Sequence, residues 1–278
     1  IANYDVQNKF RYKKLENICK YHYEDGTVLN ALADPQKFAQ EAAQVLNEPE
    51  ENVKQYLTKA RDMYDLAAGM FIFRPFARLK TFKSEAGKRV AKKLHKLDMM
   101  LSMHQRNQKS FRSNKLVKLF DRYATYNGSN PYQAPATLNM IAHLEHNEGA
   151  FFPEKGMYSI IEHLVEAAKN LNVEFHFNKR IDKVLLNNKT AQGVVVDGKT
   201  LKADRIISDM DISAFYRNLM PRKKIPWPIR LMEKSTSAVI FYWGINTTFP
   251  HLELHNILFA ENYHEEFKYQ FKKKKLYH

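Results

Sequence analysis

The sequence predicts an α+β fold, in which a mostly helical part carries a mixed sheet, and two patterns indicate it. Apolar residues recur at helical spacing through much of residues 34–171. From residue 173 onward, short runs of apolar and polar residues alternate and are separated by turn signals, as is typical of strands. The chain has 278 residues, of which 44% are hydrophobic, so one large domain or two modest ones can bury a core.

The first predicted elements are a β-hairpin and a pair of helices. Within residues 21–28, Asp25 and Gly26 predict the turn of the hairpin. Asp34 predicts a helix N-cap, because its carboxylate accepts the free N–H groups of a first turn, and Pro35 suits the first helical position. The next helix has an apolar stripe formed by Val53, Leu57, Ala60, Tyr64 and Ala67.

Residues 70–103 interleave large apolar side chains with basic ones. The apolar members are Met70, Phe71, Ile72, Phe73, Phe76, Leu79, Phe82, Leu97, Met99, Met100, Leu101 and Met103. The basic members are Arg74, Arg78, Lys80, Lys83, Lys88, Arg89, Lys92, Lys93 and Lys96. This composition suits a helix pair on an anionic bilayer, where aromatic groups enter the acyl boundary and cations meet the headgroups. A core helix with a solvated basic face is the alternative.

Helices are predicted for most of residues 115–171. The first of them is broken by the turn-forming residues 127–131, and another follows Pro135 and ends before Gly149. Residues 157–171 form a clear amphipathic helix.

Strands are predicted in the second half of the chain. Asp197 and Gly198 predict a turn between two of them. The β-prone residues 235–244 predict a buried central strand. The other strand patterns cover residues 173–177, 181–184, 194–196 and 201–207.

The net charge of +14 favours an anionic partner, which could be nucleic acid, an acidic membrane face or a phosphorylated ligand. The basic residues lie beside apolar clusters and no nucleic-acid-binding motif is present, so we expect no nucleic acid partner. No run of about 18 apolar residues predicts a membrane span. The single cysteine, Cys19, excludes a disulfide within the chain and fits a reducing, cytoplasmic location.

Several enzyme classes lack their motifs in this chain. There is no glycine-rich dinucleotide turn, Walker A loop, Cys-x-x-Cys or His-Glu-x-x-His pattern. His143 and His146 flank Glu145 at a spacing that places two imidazoles on one helical face, but no further ligands are evident, so no metal site is predicted. Because the chain opens on Ile1 and closes on a lysine run at residues 272–275, we interpret it as an internal piece of a longer protein.

Five segments, in order along the chain, strongly resemble the bacterial phytoene dehydrogenase family of carotenoid desaturases. The longest reads Phe-Asp-Arg-Tyr-Ala-Thr-Tyr-Asn-Gly-Ser-Asn-Pro-Tyr-Gln-Ala-Pro-Ala at residues 120–136. Leu-Glu-His-Asn-Glu-Gly-Ala-Phe-Phe-Pro follows at residues 144–153, and Gly-Met-Tyr-Ser-Ile at residues 156–160. Residues 23–28 are similar to the family's hairpin, and residues 207–211 to its return strand. The resemblance covers nearly the whole chain.

The resemblance implies an FAD-binding, amine-oxidase-like flavoprotein in which separate segments of the chain build the flavin domain. Residues 1–148 are then a helical substrate and membrane-docking domain, and residues 149–212 are the middle part of the flavin domain. Residues 213–278 return to the substrate domain. The glycine-rich FAD turn of such proteins precedes the part that this chain matches, so we expect the chain alone to bind FAD weakly or not at all.

The resemblance also implies four cofactor-binding residues. Gly156 and Met157 lie in a loop expected near the flavin ring, where a glycine lets the backbone approach a planar ligand. Ile181 lies on a strand expected to pass the adenine end of FAD. Asp209 is expected near the flavin, with capping of the following helix as its alternative role. Lys155 departs from the paired glycines that are commoner in the family.

The expected reaction is FAD-dependent removal of hydrogen from a long apolar carotenoid at a peripheral membrane surface. Arg122, Tyr123, Asn127 and Glu145 are the expected residues at the boundary between flavin and substrate, and no residue is assigned as catalytic. An Arg122–Glu145 pair that only clamps two helices is the alternative. Two other functions remain open: a carotenoid isomerase or related oxidoreductase, and a non-catalytic basic module that binds membrane or nucleic acid.

Overall fold

The computed structural model describes residues 10–74, 79–188, 190–220, 224–232 and 234–277. These residues belong to two compact units. The smaller unit comprises residues 161–234, and the larger unit comprises residues up to 160 together with residues 235–278. Each unit contains helices and strands, so the α+β fold class is confirmed.

The described residues contain helices throughout, some of them a single turn. The α-helices are α1 (Pro35–Leu46), α2 (Glu50–Phe71), α3 (Leu79–Phe82), α4 (Glu85–Lys92), α5 (Met103–Ser110), α6 (Asn114–Asp121), α7 (Ile141–His143), α8 (Tyr158–Asn170), α9 (Ile212–Leu219), α10 (Trp227–Leu231) and α11 (Tyr263–Lys268). The 3₁₀ turns are Leu94–Leu97, Arg122–Asn127 and Ala136–Met140, and the π turns are Leu144–Glu148 and Tyr269–Lys273.

The strands form small sheets. They are β1 (Tyr12–Lys14), β2 (Asn17–His22), β3 (Val28–Leu32), β4 (Phe151–Pro153), β5 (Ile181–Asn187), β6 (Thr190–Val196), β7 (Lys199–Lys202) and β8 (Asn256–Leu258). In the larger unit, β2 pairs with β3 antiparallel and with β8 parallel, so this sheet is mixed as predicted. β1 pairs with β4, and β5, β6 and β7 form an antiparallel meander in the smaller unit.

The core of the larger unit lies between the mixed sheet and the helices. Large aromatic side chains from distant parts of the chain meet there, including Phe38, Phe120 and Phe259. Asp34 caps α1 as predicted, because its carboxylate accepts the backbone N–H of Lys37 at 2.9 Å.

Cys19 lies on β2 inside this core and is buried. Burial raises the pKa of its thiol to about 11, and the nearby Arg122 opposes this shift without cancelling it. The thiol is therefore protonated and unreactive while the core is closed.

Helix α4 joins the basic stretch to the rest of the unit. Ala86 and Val90 of α4 pack with Leu66 and Met70 of α2, while the Lys and Arg side chains of α4 are exposed. Large apolar side chains nearby are exposed too, among them Met100. Phe76 and Arg78, and the side chains of Phe71 and Leu79, lie outside the described residues. No helix among the residues described is long and apolar enough to cross a membrane.

Two strand predictions are wrong. Residues 173–177 and 235–244 are not strands, and their large apolar side chains are exposed. The backbone N–H of Thr236 donates to the carbonyl of Gly128 at 3.2 Å, but no described strand pairs with residues 235–244. High β-propensity describes the fit of side chains to a pleated sheet, so a β-prone run without a neighbouring strand stays irregular.

Candidate functional site

A network of polar side chains lies where three elements of the larger unit meet. Tyr21 is on β2, Arg122, Tyr123 and Tyr126 are on the 3₁₀ turn that continues α6, and Glu145 and His146 are on the π turn after α7. We call these six residues the Arg122 cluster. π turns are rare and often mark functional sites.

Arg122 is the centre of the cluster. Its Nη2 donates to the hydroxyl of Tyr21 at 2.7 Å and to Glu145 at 3.3 Å, and its Nη1 donates to the hydroxyl of Tyr126 at 3.3 Å. Its guanidinium also lies 4.7 Å from the ring centroid of Tyr123, within cation–π range. Burial opposes the charge, but the surrounding phenols and Glu145 outweigh burial and raise the pKa of Arg122 above its usual value.

Glu145 is the anion of the cluster. The hydroxyl of Tyr123 donates to its Oε2 at 2.6 Å, and the hydroxyl of Tyr126 donates to its Oε1. Burial alone would raise the pKa of Glu145, but Arg122 and the two phenol donors hold the pKa below its usual value. At neutral pH the cluster therefore contains an ionised carboxylate paired with a guanidinium.

His146 closes the cluster on its inner side. Its ring is fully buried and stacks on Phe38 with the centroids 4.5 Å apart. Burial lowers the pKa of His146 to about 4, so the imidazole is neutral. Because the hydroxyl of Tyr123 donates its hydrogen bond to Glu145, the contact of 3.1 Å between Nε2 of His146 and the Tyr123 oxygen needs Nε2 as the donor. Nδ1 of this neutral imidazole then carries a lone pair.

The structure brings together three of the four predicted substrate residues, namely Arg122, Tyr123 and Glu145. Asn127 is exposed at the end of the 3₁₀ turn and makes no hydrogen bond to the cluster within the part of the chain described. Sequence reasoning missed Tyr21 and Tyr126. Tyr126 follows Arg122 by four residues, a helical spacing that could have revealed it, whereas nothing local connects Tyr21 to Arg122.

His143 faces away from this network. Its Nδ1 lies 3.0 Å from the side-chain amide of Asn147, and its Nε2 lies 3.3 Å from the carboxylate of Glu148. Among the residues that the structure describes, no group of three or more His, Cys, Asp or Glu side chains is placed to hold a metal ion.

Two of the predicted cofactor residues line one cavity of the smaller unit. The cavity has a volume of about 530 Å³ and lies between β5, β6, α9 and the segment of residues 206–210. Ile181 and Asp209 both line it, and Arg180 and Ser208 add polar groups. Asp211, rather than Asp209, caps α9, since its carboxylate accepts the backbone N–H of Ala214 at 2.8 Å.

The other two predicted cofactor residues lie before α8. Gly156 adopts a φ of +83°, and a Cβ added there would meet nothing within 4 Å. Its backbone is therefore open to close approach by a ligand. Met157 and Lys155 are exposed beside it.

The family model described as flavin containing amine oxidoreductase matches residues 1–260. The chain therefore belongs to the flavin-containing amine oxidoreductase family. Several of its curated relatives are carotenoid desaturases, which confirms the resemblance found in the sequence.

Three relatives illustrate the match. The 1-hydroxycarotenoid 3,4-desaturase of Flavobacterium sp. is 38% identical over 98% of this chain and 56% of the relative. The phytoene desaturase of Fusarium fujikuroi is 32% identical over 62% of this chain and 30% of the relative. The hydroxyneurosporene desaturase of Rubrivivax gelatinosus is 27% identical over 80% of this chain and 42% of the relative. The chain thus spans about half the length, or less, of these relatives.

Solved structures give lower similarity. An oxidoreductase from Methanosarcina mazei matches with a TM-score of 0.47 and 13% identity, over 80% of this chain and 46% of that one. An engineered putrescine oxidase matches with a TM-score of 0.47 and 18% identity, over 78% of this chain and 45% of that one.

Proposed function

We propose that the full-length protein is an FAD-dependent desaturase that removes hydrogen from a carotenoid, and that this chain supplies most of its substrate-handling part. The observation that carries the proposal is the 38% identity to a 1-hydroxycarotenoid 3,4-desaturase over nearly all of this chain. The flavin, when bound, supplies the redox chemistry. The side chains of this chain orient the polyene and exclude water from it.

The residues available suit a flavin nucleotide. The cavity lined by Ile181 and Asp209 has both apolar and polar residues in its lining, which is the combination that a nucleoside needs. The backbone of Gly156 is open to a planar group. Because Asp209 lines the same cavity as Ile181, we assign both to the adenosine end of FAD, which differs from the place near the flavin that the resemblance implied for Asp209. We assign Gly156 and Met157 to the ring end. Residues 149–212 then belong to the flavin domain.

The Arg122 cluster suits the boundary between flavin and substrate. Arg122 and Tyr123 both donate hydrogen bonds to Glu145, at 3.3 Å and 2.6 Å, so the three side chains hold one another in place before any ligand arrives. Asn127 lies at the exposed end of the same turn and would contact the substrate only at its outer part. If the Arg122–Glu145 pair only clamps two helices, replacing either residue should lower the free energy of unfolding without changing substrate binding.

Product analysis tests the desaturase proposal. Full-length protein, supplied with FAD and an acyclic carotenoid in detergent, should yield products with additional conjugated double bonds, seen as longer-wavelength absorption bands. Shifted double-bond geometry without new double bonds would favour an isomerase. Added oxygen would favour an oxygenase, an alternative supported by the 29% identity to the 4,4'-diaponeurosporene oxygenase of Staphylococcus aureus. A colourless full-length protein that binds nucleic acid would favour the non-catalytic module.

We also propose that the basic stretch docks on an anionic membrane face. Phe73 is 71% exposed and Met100 is 95% exposed, while the neighbouring lysines of α4 point to solvent. Exposed apolar side chains beside cations bind the boundary between acyl chains and acidic headgroups. The docking would bring the protein to a substrate that dissolves in the bilayer.

Vesicle flotation tests the docking. Wild-type full-length protein should float with vesicles that contain anionic lipid, and the double variant Lys92→Glu with Lys96→Glu should stay at the bottom of the gradient. The matched control is Lys37→Glu with Lys109→Glu, which changes the net charge equally at exposed lysines elsewhere. Equal flotation of both double variants would contradict docking through this surface.

A further inference from the structure

A short loop between the basic stretch and α5 is held firmly on both sides. We call residues 98–101 the methionine loop. Just before it, Leu97 is fully buried, and its carbonyl accepts the hydroxyl of Thr137 at 2.5 Å. At its end, the carbonyl of Leu101 accepts the backbone N–H of Ala136 at 2.8 Å. Both sides of the loop are therefore fixed to the same 3₁₀ turn, so the residues between them are held in place.

Two neighbouring methionines occupy the middle of the methionine loop. Met99 is 51% exposed and Met100 is 95% exposed. Single exposed apolar side chains are ordinary on protein surfaces, but here two adjacent ones are exposed on a fixed loop. Phe82 and Leu94, which precede the loop, are about half exposed as well. Burial of these side chains in an apolar phase is favourable, because it removes apolar surface from water.

The charges beside the methionines are positive. Asp98 is the single acidic residue between positions 86 and 120 of the sequence. Its carboxylate is only 9% exposed and is paired with Lys59 and Arg106, in each case at 2.5 Å. Lys93 and Lys96 are exposed. The acid next to the methionines is thus neutralised while exposed cations remain nearby, and this combination complements an anionic surface.

We infer that Met99 and Met100 insert below the headgroups of an anionic bilayer, while the lysines beside them stay at headgroup level. The inference rests on the docking proposed above and deepens it, because it names the side chains that penetrate the membrane. The partner is a bilayer rather than a soluble anion, since a soluble anion offers no apolar phase to the methionines. Because the loop is already fixed, little conformational freedom is lost when it inserts.

The two parts of the docking respond differently to salt. Salt screens the attraction between exposed lysines and acidic headgroups, but it does not screen the burial of apolar side chains. Wild-type protein should therefore keep part of its binding to anionic vesicles in about 1 M salt. The double variant Met99→Ser with Met100→Ser should bind about tenfold more weakly at low salt. At high salt it should show no measurable binding.

Vesicle co-sedimentation of full-length protein measures these partition coefficients. The matched control is Leu231→Ser with Met232→Ser, because these two residues are also adjacent and are 73% and 68% exposed in the smaller unit. The control should bind like the wild type at both salt concentrations. Melting temperatures equal to that of the wild type would show that neither double variant acts through unfolding.

A tryptophan at the loop reports insertion directly. In Met100→Trp, the added fluorescence should shift to shorter wavelength on binding to anionic vesicles. Lipids brominated near the headgroup end of their acyl chains should quench it. Met232→Trp is the control, and its added fluorescence should not respond to the brominated lipids.

The possible outcomes separate insertion from docking. An unchanged partition coefficient of the methionine double variant, or no added quenching of vesicle-bound Met100→Trp, overturns the insertion. If Lys92→Glu with Lys96→Glu stops flotation while the methionine double variant floats like the wild type, docking stands and insertion is wrong. Wild-type protein that does not bind anionic vesicles at all overturns both. Product analysis in detergent judges the desaturase separately, because the substrate is then supplied without a membrane.

Discussion

Glu48 holds the beginning of α6 from a distant part of the chain, and its removal should destabilise the protein strongly. Its carboxylate is buried and accepts the backbone N–H groups of Ser113 at 2.7 Å and Arg112 at 2.9 Å, and the side-chain amide of Asn52 at 2.7 Å. α6 starts at Asn114, and the side chain of Ser113 makes no capping hydrogen bond of its own. Glu48 therefore acts as the cap of α6.

The size of the effect follows from these contacts. A hydrogen bond to a charged group contributes about 1.5–3 kcal/mol, and Glu48→Ala leaves two backbone N–H groups without it, while water that enters the space recovers part of the loss. We expect the free energy of unfolding to fall by about 3 kcal/mol for Glu48→Ala. Glu48→Gln keeps one oxygen acceptor, so about half of that loss is expected.

Urea unfolding measures both variants. Glu51→Ala is the control, because Glu51 is an exposed glutamate in the first turn of α2, and it should change the free energy of unfolding by less than about 0.5 kcal/mol. If Glu48→Ala unfolds within about 0.5 kcal/mol of the wild type with the same dependence on urea, the capping role assigned to Glu48 is wrong.

Three further predictions concern single positions. Burial lowers the pKa of His146 to about 4 in the folded chain, against an ordinary histidine value of 6.5. The unfolded chain therefore takes up the proton first, and the free energy of unfolding should fall as the pH drops from 6.5 towards 4. His146→Phe should make the urea midpoint less dependent on pH over this range. Gly156→Ala should cost only about 1 kcal/mol of stability, because nothing crowds the new Cβ, but should lower flavin retention by full-length protein, measured by absorbance after gel filtration. Gly193→Ala should unfold at clearly lower temperature than Gly198→Ala, since a Cβ at Gly193 meets the backbone oxygen of Leu201 whereas one at Gly198 meets nothing within 4 Å; equal melting temperatures would contradict this.

Elements whose signal lies within a few neighbouring residues could be predicted from the sequence. The hairpin turn at Asp25 and Gly26 and the cap at Asp34 are as predicted, since a left-handed glycine and a carboxylate before a helix act locally. The turn at Asp197 and Gly198 between β6 and β7 is another example.

Strands without partners could not be predicted in this way. Residues 235–244 have the composition of a buried strand, yet in the described chain they pair with no other strand. Strand formation depends on hydrogen bonds to a second segment, and a single segment does not reveal whether that segment is in place. The same argument applies to residues 173–177.

The candidate site likewise contains residues that the sequence could identify and residues that it could not. The resemblance placed Arg122, Tyr123 and Glu145 at the site because they lie in matching segments, and the structure joins them. Tyr21 lies 101 residues before Arg122, and only the packing of β2 against the 3₁₀ turn brings the two together. Glu48 is similar, because its contact with Ser113 spans 65 residues.

The buried position of Cys19 allows its thiol to report when the core around β2 opens. The thiol is the single one in the sequence and lies on the strand that also carries Tyr21. An alkylating reagent can modify this thiol only when β2 separates from the helices, so the labelling rate measures how often this part of the core opens. If a ligand at Arg122 tightens the contact with β2, labelling slows, and occupancy becomes measurable by mass spectrometry without adding any probe.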